Sequence, residues 1–322
     1  MVLPVISIVV PGQGDEALLR RCLEALTAQT LAANRYEIIV VEEAIHPATQ
    51  KLLAELRTRN GAQPQFVHVC SAPRAGIAAS CNAGWRNARG AVVGFIGVDG
   101  VAHCGWLAAG LAIIEEGAAA AVGRSSSMHP IPYAQRWEPI TRSYFSATNL
   151  FVHAVWLRGT GGFDERFVLA SGAVCDLLCS VTESGGKVSY CHDARVAYQG
   201  GLQDGTRWLN EQRRFSYDAL LYKRHPALYR RHIHRRADWR YYTIVFALLS
   251  AASALIFHDA ALGALGIALW LALTFELFQQ RWQQSSRQEC RMCVALLEAV
   301  LLPPVAVFWR VVGAITFRAL PW

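Results

Sequence analysis

From residue 5 to about residue 200, short apolar runs alternate with amphipathic ones. "VISIVV" (5–10) reads as a buried strand. "DEALLRRCLEALTAQT" follows, with Leu18, Leu19, Cys22, Leu23 and Leu26 on one helical face and Asp15 placed to cap it. "YEIIVVEE" predicts a second strand, and "ATQKLLAELRTRN" a second helix closed by Gly61. "PQFVHVC" is a third strand, and "GIAASCNAGWRNARG" a helix of small residues ending at Gly90. A strand "AVVGFIG", a helix "CGWLAAGLAIIEEG" and a strand "AAAAVGR" complete the pattern. Strands alternating with helices in this way predict an α/β fold, a parallel sheet with crossover helices.

Beyond residue 240 the pattern changes. Tyr241–Phe257 and Ala260–Phe278 are each apolar and near the length that spans a bilayer, and only His258 and Asp259 separate them. Lys and Arg are dense before the first run, absent from the connection, and return as Arg281, Arg287 and Arg291. The positive-inside bias therefore predicts a hairpin with both ends in the cytoplasm. A third apolar stretch, 294–317, contains Glu298, Pro303-Pro304 and Arg310. It reads as a third membrane helix kinked at the prolines, with a partly interfacial position as the other option. Buried helices of a soluble protein fit less well, because two such runs lie so close together with this charge asymmetry.

Composition agrees with that division. Mean hydropathy is +0.23 although 17% of residues are charged, so the apolar residues are concentrated. Of the net charge of +7, much sits in "YKRHPALYRRHIHRRADWR" (222–240), with seven Lys or Arg against one Asp. Basic stretches bind nucleic acid too, but this one abuts an apolar segment. It fits the cytoplasmic, anionic-lipid side of a membrane better, so membrane lipids are expected as partners and nucleic acid is not. Nine cysteines occur at odd spacings, and Cys175 and Cys179 have no second pair nearby to complete a zinc site. Buried free thiols in a reducing cytosol are expected. "MVLPVISIVVPG" lacks a basic region ahead of its short apolar run, so it reads as a first strand rather than a signal peptide.

Two chemistries compete for the first strand's end. In "PGQGDEA", Gly12-x-Gly14-x-x-Ala17 fits a loose dinucleotide fingerprint, and Glu42 or Glu43 ends the next strand where a ribose-binding acid sits. On that reading the chain is a dinucleotide-binding oxidoreductase. The plain alternative is a strand-to-helix loop begun by Pro11.

Five stretches match another family in order: "VISIVVPGQGDEALLRRCLEALTAQT", "YEIIVVEEA", "APRAGIAASCNAGWRNARGAVVGFIGVDG", "GGFDERF" and "GGKVSYCHDARVAY". They resemble the family-2 glycosyltransferases, and "WLNEQRRFSYDALLYKRHP" resembles the amphipathic segment ahead of the membrane helices in membrane-attached members. The resemblance implies a GT-A fold, a mixed sheet with flanking helices, over residues 1–235. Residues 236–322 then form a membrane region of two or three helices. It implies a nucleotide-sugar donor bound by Pro11, Glu42, Glu43, Asn82 and Asp99, and a divalent cation, Mn or Mg, on Asp99. It places Gly162, Asp164 and Glu165 on the acceptor side and Asp176 nearest the position of the catalytic base. The acceptor is expected to be lipid-linked or a growing polysaccharide, reached at the cytoplasmic face of a bacterial-type inner membrane.

The chemistry asks for such residues. A nucleotide sugar leaves behind a diphosphate whose charge a carboxylate-held cation neutralises, and an inverting transfer needs a carboxylate within reach of the acceptor hydroxyl. Ala78, Ala79, Ala83 and Gly84 let a helix approach the nucleotide, or simply pack tightly on the sheet. Several site positions depart from the family. Its Asp-x-Asp is Gly97-Val98-Asp99 here, and its Glu-Asp-x-Asp-Leu is Ala173-Val174-Cys175-Asp176-Leu177. Its Tyr-Asn is Gln13-Gly14, and its late histidine is Gln199. With one carboxylate lost, the metal site is expected to be weakened. Asp99 can be a turn residue, and Asp176 a helix-surface or first-turn acid, with Asp164 and Glu165 a second source of a carboxylate. A catalytically inactive relative that binds a partner glycosyltransferase or a glycan is therefore the alternative to an enzyme.

Overall fold

A computed structural model describes residues 3–12, 16–59, 62–71, 76–127, 149–198, 212–233, 239–284 and 290–320. Gln13, Gly14, Asp15, Gly61, Gln199 and Arg287, singled out by the sequence, lie outside the described residues. The chain divides into two units, Met1–Gln203 and Asp204–Trp322.

The first unit is built on eight strands: β1 (Ile6–Pro11), β2 (Tyr36–Glu42), β3 (Gln65–Cys70), β4 (Val92–Ile96), β5 (Gly100–Ala102), β6 (Ala120–Ser127), β7 (Asn149–His153) and β8 (Val188–Tyr198). They form one sheet in the order β3-β2-β1-β4-β7-β6-β8-β5. The pairings β2–β3, β1–β2 and β1–β4 are parallel, as the alternating pattern predicts. The rest of the sheet is not purely parallel. β7 enters antiparallel to both β4 and β6, and β5 is antiparallel to β8. The alternating pattern predicts neither β7 nor the helix after it, and the mixed sheet follows only from the family resemblance.

The helices are α1 (Glu16–Thr27), α2 (Pro47–Thr58), α3 (Gly76–Arg86), α4 (Trp106–Glu115), α5 (Ala154–Thr160) and α6 (Ala170–Glu183). Helix α1 buries Leu19, Cys22, Leu23 and Leu26, the stripe set by its period. Helix α3 buries its small residues instead. A methyl group at Gly84 would collide with Val9 on β1, so the glycine is needed for close helix–sheet packing. Gly90 is held as tightly: a Cβ there would lie 2.7 Å from the Ser7 amide nitrogen.

At the amino-terminal ends of the parallel strands lies a polar cluster within the core. Glu37 is fully buried and accepts hydrogen bonds from Ser7 Oγ (2.6 Å), the Arg89 amide (2.9 Å) and Arg89 Nε (2.9 Å). Arg89 also donates to Gln65 Oε1 at 2.6 Å, and Ser7 Oγ accepts from the Gly90 amide at 2.9 Å. This network ties β1, β2, β3 and the α3–β4 loop together. Among the described cysteines all are free thiols, and Cys22, Cys81, Cys175, Cys179 and Cys191 are buried as expected; Cys70 and Cys104 are exposed.

The second unit holds a 3₁₀ segment (Arg213–Tyr217) and the helices α7 (Asp218–Arg224), α8 (Trp239–Phe257), α9 (Ala260–Gln284) and α10 (Cys290–Phe317). The turn between α8 and α9 falls at His258, in the left-handed region at φ 55°, and Asp259. Asp259 Oδ1 caps α9 by accepting from the amides of Ala261 and Leu262, each at 3.1 Å. The two helices pack closely, with Gly266 against the α8 backbone at Ala251. Among the described residues, two helices are long and apolar enough to cross a membrane, Ala260–Gln280 and Ala295–Phe317. The expected first arm, Tyr241–Phe257, lies within one continuous helix but is not one of those two.

Candidate active site

Successive strands run outward from β1 on one side, to β2 and β3, and then resume on its other side with β4. Between β1 and β4 the winding of the sheet reverses. At such a point the loops after the two strands diverge and leave a crevice at their carboxyl ends, where α/β proteins bind ligands. Pro11 ends β1 at this edge, Glu42 ends β2, and Gly97-Val98-Asp99 follows β4.

The edge is closely built. The Gly12 amide donates to the Val41 carbonyl at 2.6 Å, and a Cβ at Gly12 would lie 3.1 Å from Glu42 Cγ. The loop after β4 is closed by the Gly100 amide donating to the Gly97 carbonyl at 2.9 Å, which leaves Asp99 half-buried at its tip. Gly100 is confined: a Cβ there would lie 2.9 Å from Ile96 Cγ1 and 3.0 Å from Val196 Cγ1. Beneath the loop, Cys22 Sγ donates to the Gly97 carbonyl at 3.8 Å. Burial, followed by the negative charge of Asp99, pushes the Cys22 thiol up to about 12, so it stays protonated.

The two glutamates after β2 are not equivalent. Glu42 is buried and accepts from Thr49 Oγ1 at 2.7 Å and the His46 amide at 3.4 Å, and pairs with His68 Nε2 at 2.8 Å. Its oxygens are engaged by α2 and β3. Glu43 is half-buried at the same edge. The sequence singles out both glutamates but not Thr49 or His68, because neither of these lies in a recognisable motif.

Asn82, expected on the donor side, makes four hydrogen bonds within the protein. Its Nδ2 donates to the Phe163 carbonyl and to Glu165 Oε1, both at 2.8 Å. Its Oδ1 accepts from Trp85 Nε1 at 2.8 Å and the Phe163 amide at 2.9 Å. Asn82 thus clamps helix α3 to the "GGFDE" loop. Gly162 is fixed by the same clamp: its φ is +83°, and a Cβ would lie 2.6 Å from both Asn82 Oδ1 and Trp85 Nε1. No L side chain fits there.

Arg166 organises the remaining carboxylates. Asp164 accepts from Arg166 Nη2 at 2.6 Å, from its Nε at 3.0 Å and from its amide at 3.0 Å. The guanidinium's pKa is raised above its ordinary value, chiefly by the hydrogen bond to Asp164, with the charge of Asp176 adding to it. Asp176 is 1% exposed on α6, which excludes the helix-surface role. Helix α6 is enclosed on all sides there, since Ala173, Val174, Cys175, Leu177 and Leu178 are buried along with Asp176. The position of the family's usual base, Val174, is buried and apolar. Among the described residues no three His, Cys, Asp or Glu side chains gather to hold a metal ion. Asp99 is a single carboxylate in the Gly97-Val98-Asp99 loop.

Glycosyl transferase family 2 is the family whose model matches this chain, over residues 7–159. The first unit thus resembles a family-2 glycosyltransferase domain. The match takes in the Gly12-x-Gly14 loop and so assigns it to this fold rather than to a dinucleotide-binding one. A curated relative, glycosyltransferase AglE of Haloferax volcanii, is 24% identical over 204 residues, which are 59% of this chain and 66% of that protein. The match therefore spans just under two thirds of the relative's length. The mannosyltransferase PcManGT from Pyrobaculum calidifontis, solved in complex with GDP-Man and Mn2+, has a TM-score of 0.57 at 16% identity, covering 98% of this chain and 88% of that one. S. aureus TarS 1-349 in complex with UDP-GlcNAc has a TM-score of 0.51 at 13% identity, covering 97% and 89%. At these identities the likeness shows the fold, GT-A, which the mixed sheet with flanking helices also displays.

Proposed function

We propose that this chain transfers a sugar from a nucleotide sugar to a lipid-linked or polysaccharide acceptor at the cytoplasmic face of a membrane, anchored by its carboxyl-terminal helices. The observation that carries this reading is the convergence of Pro11, Glu43 and Asp99 on the carboxyl edge at the point where the sheet's winding reverses. Relatives of the same fold were solved with GDP-Man and Mn2+ and with UDP-GlcNAc, which supports a nucleotide-sugar donor.

On this reading Glu43 meets the nucleoside, backed by Glu42, and the β1 loop beginning at Pro11 lies over it. Asp99 would hold a divalent cation, Mn or Mg, together with the donor's own diphosphate oxygens, and the ion would supply charge neutralisation for the leaving nucleotide. Asn82 does not bind the donor through its amide, which is fully used. It fixes the acceptor-side loop of Gly162, Asp164 and Glu165 against the donor-side helix. Asp176 is the proposed base, accepting the proton of the acceptor hydroxyl as that oxygen attacks the sugar's anomeric carbon. Arg166 orients Asp164 by direct hydrogen bonds, and it lies close enough for the charge of Asp176 to act on it. The domain is taken to extend to about residue 235, with the basic stretch 222–240 at anionic headgroups.

One second reading has specific support. Gly97 and Val174 lack carboxylates, Glu42 is engaged by His68, and Asp164 is engaged by Arg166. A non-catalytic relative that binds a partner glycosyltransferase or a glycan would show these features. Donor turnover decides between them. The full-length protein in detergent, given UDP- and GDP-sugars with Mn²⁺, should release nucleotide diphosphate, and Asp176→Asn should abolish that release while donor binding persists. Donor binding with no turnover in the unmodified protein under every acceptor supplied would favour the non-catalytic reading.

A further inference from the structure

The last turns of α10 lie at one end of the α8–α9 hairpin. Arg240, near the start of α8, reaches Glu276 Oε1 and Gln280 Oε1 on α9, both at 3.4 Å. At the other end Ala254 faces Gly263 beside the His258-Asp259 turn. The hairpin therefore has an open end at Arg240 and Gln280 and a closed end at His258.

Helix α10 starts at Cys290, six residue steps after Gln284. At most about 3.6 Å per step, its first residue lies within about 22 Å of the open end. A helix that then crossed toward the closed end would carry Arg310, twenty residues on, about 30 Å from its start. Arg310 is instead at the open end. Its guanidinium lies 5.9 Å from the Tyr242 ring centroid, one turn into α8, and 4.6 Å over the Phe215 ring. The following turns stay with the segment that precedes α8. A methyl at Gly313 would collide with the Ser216 carbonyl, and the Phe317 carbonyl accepts from Lys223 Nζ at 3.0 Å. The Phe317 ring is 6.1 Å from that of Tyr217. That preceding segment exposes Arg213, Lys223 and Arg224, which belong at a headgroup surface and not in hydrocarbon.

The two faces of α10 differ. Ala295, Ala299, Leu302, Ala306, Arg310 and Gly313 form a buried stripe. Leu297, Leu301, Phe308, Val311 and Ile315 form the opposite stripe and are exposed. Pro303 and Pro304 lack the amide protons that would bond the carbonyls of Ala299 and Val300. The helix ladder is therefore interrupted at the level of Ala299 and Val300, where α10 can bend.

We propose that α10 does not cross the membrane but lies along one leaflet, with its exposed apolar stripe against the acyl chains. The 213–224 segment then sits above it among anionic headgroups, and the chain ends on the side where it began. This inference rests on the proposed membrane anchoring, and the following experiment separates the two. Epitope tags are placed before Met1, between His258 and Asp259, and after Trp322, each in the full-length protein. Protease is added to sealed vesicles of each orientation. The tags at Met1 and Trp322 should be removed from one side and the tag at 258–259 from the other. A Trp322 tag cleaved together with the 258–259 tag shows a third crossing and overturns this proposal while leaving the membrane anchoring intact. Cleavage of all three tags from one side, with release of the chain at alkaline pH, overturns both.

Discussion

The two ends of the parallel strands β1, β2 and β4 handle acidic side chains in opposite ways. At the amino ends, Glu37 is enclosed and saturated by Ser7 and Arg89. At the carboxyl ends, Asp99 and Glu43 are half-buried. A buried carboxylate must be paired or it destabilises the fold, whereas a half-buried one still meets solvent and can be reached from it. On the proposed reading the same strands secure stability at one edge and recognition at the other. Glu42 belongs by position to the second edge but by its bonding to the first.

The largest effect tests the closed edge. Glu37 is buried but Arg89 is about a third exposed, and Ser7 and the residue-89 amide still serve the carboxylate in the variant. Arg89→Met should therefore lower stability by about 1.5–3 kcal/mol, read as a shift in the denaturant midpoint. Donor binding in the protein that remains folded should be unchanged. A loss below about 1 kcal/mol would show that the two edges are not so different.

On α6, Asp176→Asn should reduce turnover by about 10²–10⁴-fold, the usual cost of losing a general base, and the isosteric amide should disturb the fold less than it disturbs turnover. Asp99→Ala should remove the effect of Mn²⁺ on donor binding measured by calorimetry and leave metal-free binding and stability nearly as they were. An equally large stability loss in Asp99→Ala would make it a structural turn residue.

Asn82→Ala strands the Phe163 amide and the Trp85 indole, both within the fold. At about 1–3 kcal/mol per stranded buried group it should destabilise measurably and weaken acceptor use more than donor binding. Acceptor KM and donor affinity, measured separately, check this.

The smallest effect is alkaline. Burial raises Cys22 and Cys81 from an ordinary value of 9 to about 12. The folded state then holds protons that the unfolded state releases. Their contribution is complete below about pH 9 and is lost as pH rises toward 12. Stability should decline over that window, and more shallowly in Cys22→Ala than in the parent once the variant's pH-independent loss is subtracted. At pH 8, thiol reagents should label the exposed Cys70 and Cys104 and spare Cys22.

Much of this molecule could be read from its local patterns. The apolar stripe of α1, the strand "VISIVV", the small residues of α3 and the apolar runs beyond residue 240 each follow from side chains a few positions apart, because helix and strand periods act at that range. The ordered motifs gave the family in the same way, and with it Asp99 and the "GGFDE" loop. What the periodicity did not reveal depends on distant pairings. Glu37 meets Arg89 fifty-two positions away, and Asn82 meets Phe163 across eighty-one. Asp176 has the local pattern of a surface acid, but the packing of α6 turns it inward beside Arg166.

The sequence by itself determined which segments form strands and helices, the family of the first unit and the candidate carboxylates. Only the tertiary structure decided that Glu42 and Asp164 are held by His68 and Arg166, that Asn82 serves as a clamp, and that the last turns of α10 meet the open end of the hairpin. The reason is physical. Periodicity fixes which face of an element is apolar, but strand order and chain reach fix which faces meet. A polar group's role depends on whether a partner from another element arrives to satisfy it.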